Sequence, residues 1–97
     1  NPKERRKRDA ANRDKRNKIL KPMQSEFEKV ETTISELEAA QALLTGHLES
    51  PEVSSDPEKL RETTNAYEKL ARKLEHAFTK WEDLSAQIEK LEAELGA

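Results

Sequence analysis

From Leu20 onward, apolar residues return at alternating steps of three and four. Leu20, Met23, Phe27, Val30, Ile34, Leu37, Leu44 and Leu48 follow this rhythm, and Gln41 fills the one slot that is not apolar. The spacing is that of a heptad seam on an α-helix, with a at 20, 27, 34, 41 and 48 and d at 23, 30, 37 and 44. A second seam starts at Leu60. Its a slots are Leu60, Tyr67, Leu74, Trp81, Ile88 and Leu95, and its d slots are Thr63, Leu70, Ala77, Leu84 and Leu91.

The stretch ESPEVSSDPEK separates the two seams. Pro51 disfavours helix at Ser50, and Gly46 loosens the turn before it. The second helix can restart in two ways. Asp56 can cap it with Pro57 at the first helical position, or Ser55 can cap it with Glu58 as a capping box. A connection this short makes long helices antiparallel neighbours. The sequence therefore predicts an all-α fold, a two-helix antiparallel coiled-coil hairpin ~70 Å long at 1.5 Å per helical residue. Residues 22–49 form the first helix, 50–56 the loop and 57–95 the second helix. Facing residue numbers add to 108 in the a layers, as for Ile34 with Leu74 and Phe27 with Trp81, and to 107 in the d layers, as for Leu37 with Leu70. Gln41 beside Tyr67 is the single polar layer. It either hydrogen-bonds and fixes the register or is merely tolerated.

Residues 1–21 differ from the rest and form a basic arm. They carry ten Lys/Arg against three Asp/Glu, a charge of +7, while residues 22–97 carry eight against seventeen, a charge of −9. The acids of the arm are spaced to support helix: Glu4 with Arg8, Asp9 with Arg13 and Asp14 with Lys18 are i,i+4 pairs worth ~0.2–0.5 kcal/mol each. Pro22 interrupts this reading, because proline lacks an N–H and costs ~3 kcal/mol inside a helix. Either the first helix starts at Pro22 and the arm is separate, or a kinked helix runs through. The paired charges upstream favour the kinked helix. In the hairpin register, Arg16 then faces Leu91 and Arg13 faces Leu95, with Glu89, Glu92 and Glu94 across from the arm's cations. Arginine stems can cover the two leucines while their heads stay wet. Left uncovered, the same leucines could pair with a second molecule.

Composition narrows the function. Of 97 residues, 33% are hydrophobic and 39% charged, too few apolar side chains for a globular core. There is no cysteine, no phosphate-cradling GxxxxGK and no serine–histidine–aspartate set, and His47 and His76 stand alone. A two-helix rod also lacks a pocket that excludes water. We therefore expect no catalysis, no metal and no cofactor within this stretch. No apolar run is long enough to span a membrane and no signal peptide is visible, which makes the cytoplasm the expected location. The chain opens on Asn1 with its only methionine at Met23, as expected of a piece of a longer protein.

The basic run is either a solvated helix end or a polyanion-binding arm. A charge of +7 exceeds what Glu89, Glu92 and Glu94 can offset, so we expect contact with a nucleic-acid backbone, DNA or ribosomal RNA, through Arg5, Arg6, Lys7, Arg8, Arg13, Lys15, Arg16, Lys18 and Lys21. The rival is a protein-interaction or spacer module. A second basic row, Lys69, Arg72, Lys73, His76 and Lys80, shares one outer face of the second helix, but Glu68, Glu75 and Glu82 flank it. It reads as a solvated face of mixed charge. Phe27, Trp81 and Phe78 form an aromatic layer, with Phe78 at its exposed edge.

The segments RNKILKPMQSEFEKVETTISELEAA, DPEKL and LARKLEHAFTKWEDLSAQIEKLE resemble the C-terminal coiled-coil domain of ABC-F ATP-binding cassette proteins. The run KWEDL, Lys80 to Leu84, matches a tryptophan-containing segment late in that family's hairpin. DPEKL lacks the aromatic that commonly follows Asp-Pro there. The resemblance implies a parent ATPase with ATP and magnesium in cassettes outside this chain, without membrane domains, acting on the ribosome or in translation. The hairpin arm of a tRNA synthetase, which also grips RNA with a coiled coil, is an architectural alternative.

Overall fold

The computed structural model describes residues 1–96. The chain folds as an antiparallel pair of long helices, a rod of 76 × 17 × 14 Å. The first arm of the hairpin runs without a break from α1 (Pro2–Lys15) through a π-helical turn (Arg16–Leu20) into α2 (Lys21–Glu49). A single turn, α3 (Pro51–Ser54), occupies the connection, and α4 (Pro57–Gly96) returns along α2.

Each boundary has a local cause. Asn1 caps α1, its side-chain oxygen accepting from the Lys3 N–H at 3.0 Å. Ser50 adopts extended backbone ahead of Pro51, which ends α2. Asp56 starts α4: its Oδ1 accepts from the backbone N–H of Glu58 at 3.1 Å and of Lys59 at 3.3 Å. Of the two caps compatible with the sequence, the chain uses Asp56, and Ser55 instead donates its hydroxyl to the Pro51 carbonyl. The expected loop also gains α3, because Pro51 opens a helical turn as readily as it closes the previous one.

The helix does run through Pro22, and the means is specific. The Pro22 ring would meet the carbonyl of Lys18 in a regular α-helix. The π turn ends at Leu20, two residues before that proline, with the Lys21 N–H bonded to the Arg16 carbonyl five residues back. Widening the turn frees the space the ring needs and keeps the chain helical.

The buried centre consists of Val30, Ile34, Leu74 and Ala77, with Leu37, Trp81 and Leu84 packed against it. Phe27 and Trp81 face each other with ring centroids 5.5 Å apart, as the 108 register requires. Two helices bury only one stripe each, so most seam residues stay half-buried. Gln41 and Tyr67 are both half-buried, and no hydrogen bond joins them among the described residues, so that layer is tolerated rather than pinned.

Candidate nucleic-acid interface

The expected basic residues lie exposed along the continuous helical run of α1, the π turn and the start of α2, and the structure sorts them by what each one touches. Leu95, near the end of α4, is only 6% exposed. Asp9, Asn12, Arg13 and Arg16 line the depression beside it. Their spacing, i, i+3, i+4 and i+7, is that of a hole receiving a coiled-coil knob. The walls are polar, yet the stems of Arg13 and Arg16 are long enough to shield an apolar side chain.

Two of these residues also bond the end of α4. Asn12 Nδ2 and Arg16 Nη2 donate to the Leu95 carbonyl at 3.4 and 3.3 Å. The last carbonyls of a helix have no partner within it and carry the negative end of its dipole. The arm therefore supplies a cap for α4 from the neighbouring helix. The expected facing of Arg13 and Leu95 holds. Arg16 also reaches the Leu95 carbonyl, one turn beyond the Leu91 it was expected to face. Among the described residues, no arm cation forms an ion pair with Glu89, Glu92 or Glu94. Glu92 instead accepts from Gln24 Nε2 at 3.1 Å.

The charge of the arm is thus largely unspent. Of the three expected i,i+4 pairs, only Asp14–Lys18 closes, at 3.2 Å, with the two side chains 61% and 73% exposed. Lys15 and Lys21 are exposed without an ion-pair partner among the described residues. Arg5, Arg6, Lys7 and Arg8 are also exposed. At 1.5 Å per residue they lie roughly 6–10 Å beyond the level where Asn12 meets Leu95. No described residue of α4 stands opposite them.

Elsewhere the rod offers little chemistry. Lys80 Nζ pairs with Glu26 Oε1 at 2.9 Å, and this hydrogen bond, aided by the lysine's charge, holds the Glu26 carboxyl below its ordinary value. Phe78 is 42% exposed beside Trp81, at the edge of the seam as its slot implies. Among the described residues, no cluster of His, Asp or Glu is placed to hold a metal, and no helix is long and apolar enough to cross a membrane.

The sequence model of the family described as ABC transporter C-terminal domain matches residues 21–86. The chain belongs to this family. The ABC transporter C-terminal domain match spans most of the α2–α4 hairpin, whereas α1, the π turn and Leu95 fall outside it. No curated protein and no solved structure matches the chain.

Proposed function

We propose that this domain binds the sugar–phosphate backbone of nucleic acid, duplex DNA or ribosomal RNA, through its N-terminal helical arm. It is a non-catalytic appendage of a cytoplasmic ATPase of the ABC-F type, whose ATP and magnesium sit in cassettes outside this chain and whose work is on the ribosome. The observation that supports the reading is the free, ordered charge of the arm. Arg5, Arg6, Lys7 and Arg8, with Lys15 and Lys21, stand on a helix fastened at Leu95, exposed and without ion pairs among the described residues. Because the helix is already formed, its cations can meet phosphates at little cost in backbone entropy. Phosphate contacts of this kind position a protein on nucleic acid without reading sequence. Arg13 and Lys18 add charge at the base of the arm. Arg16 contributes less, because its guanidinium already serves the Leu95 carbonyl.

The test is charge reversal at the free end. The triple variant Arg5→Glu, Arg6→Glu, Arg8→Glu touches no packed residue and leaves the hairpin folded. Fluorescence anisotropy with a labelled duplex DNA and a labelled structured RNA, at about 50 mM salt, should show affinity falling more than tenfold. Equal affinity of variant and wild type would overturn the reading in favour of a spacer or protein-docking rod.

A further inference from the structure

The central face of the rod carries a second feature. Ala77 occupies a d slot where the neighbouring layers have Leu70 and Leu84, and it faces Val30. A short side chain there leaves a depression between the helices, an open groove of about 610 Å³. Its floor is Val30, Leu37 and Ala77, with exposed Thr33 on one wall. Along the other wall run Lys69, Arg72, Lys73, His76 and Lys80, the basic row that reads from sequence as an ordinary solvated face. Glu68, Glu75 and Glu82, expected to neutralise that row, do not line the groove, and among the described residues only Lys80 is ion-paired, with Glu26.

We propose that this groove is a docking site for an acidic amphipathic helix of a partner protein. Charge complementarity selects that occupant. A helix lying between the two rod helices would set apolar side chains at i, i+3 and i+4 into the Ala77 depression, and its flanking carboxylates would meet the lysines and Arg72. The span from Lys69 to Lys80 is roughly 16 Å, about three helical turns, which suits an insert of that length. A nucleic-acid backbone has no use for an apolar floor, and the groove has no aromatic side chain on which bases could stack. A flat anionic surface would touch the cationic rim and miss the floor. The groove lies on α2 and α4, away from the arm, so this inference stands or falls independently of nucleic-acid binding.

The experiment is selection from a displayed library of helical 14-residue peptides on the 97-residue chain, with apolar residues fixed at i, i+3, i+4 and i+7 and all other positions randomised. Two variants report on the site: Lys69→Glu/Arg72→Glu/Lys73→Glu reverses the rim, and Thr33→Trp fills the wall without changing charge. Both alter exposed residues, and circular dichroism confirms that they fold. Enriched peptides should carry Asp or Glu beside the apolar stripe. They should lose at least tenfold in affinity with either variant and none with the arm reversal. Peptides that bind wild type and Thr33→Trp equally would overturn the proposal. So would a loss of duplex DNA binding on rim reversal with the arm intact, or a dimer of the chain in sedimentation that Thr33→Trp abolishes.

Discussion

Arg16 is the residue on which the arm's two roles meet. Its stem shields Leu95 and its guanidinium donates to the Leu95 carbonyl, so it holds the arm against α4. Asn12 does the same from one turn away. Both bonds are long, so together they contribute about 1 kcal/mol, near the low end for two hydrogen bonds. The double variant Asn12→Ala, Arg16→Ala should lower stability by that amount in urea unfolding and speed amide exchange in the last turns of α4, leaving the Val30–Leu74 centre protected. The Lys80–Glu26 pair gives a pH signature. Glu26 is held below its ordinary value by the hydrogen bond from Lys80, so the pair's contribution is complete above the ordinary carboxylate range. It is lost as pH falls through the lowered native value. Thermal melts of Glu26→Gln should therefore differ from wild type at neutral pH and coincide with it once pH is well below the carboxylate range. The seam residues and their partners were legible from spacing alone, because a 3.5-residue repeat leaves few registers. The capping of Leu95 was not, since nothing in a heptad pattern says that Asn12 and Arg16 will bond a carbonyl rather than the nearby glutamates.

At the scale of the element, Pro22 decides how the arm joins the rod. A continuous helix was readable from the i,i+4 charge spacing, but its π turn was not. Sequence shows that a proline must be accommodated and leaves the form open, whether kink, break or widened turn. The consequence reaches further than the turn. With the helix unbroken, Arg13 keeps the place opposite Leu95 that the 108 register gives it, and Asn12 and Arg16 reach the Leu95 carbonyl. Replacing Pro22 by Ala removes the ring and restores a backbone donor. It should raise stability by about 1–2 kcal/mol, less than the full cost of an interior proline because the π turn already relieves part of it. Circular dichroism melts measure this, and an unchanged or lower midpoint would mean that the widened turn has another cause. The basic row of α4 shows a different limit. Its residues were legible, but the groove beneath them depends on the small Ala77 facing Val30, a matter of volume across two helices rather than of periodicity along one.

The whole molecule is a rod with a charged handle. Its narrow section leaves no enclosed cavity among the described residues, and its charge is segregated along the sequence: +7 over residues 1–21 and −9 over the remainder. An acidic rod repels nucleic acid except at the handle, so binding should be end-on and confined to few phosphates. The most direct measurement is the salt dependence of that binding. Each phosphate neutralised on duplex DNA steepens the slope of log K against log salt concentration by about 0.9. With Arg5, Arg6, Lys7, Arg8, Lys15 and Lys21 engaged, the expected slope is about −5, and the Arg5→Glu, Arg6→Glu, Arg8→Glu variant should flatten it to about −3 or abolish binding. A wild-type slope near zero, or one that the triple reversal leaves unchanged, would contradict an arm that grips phosphates.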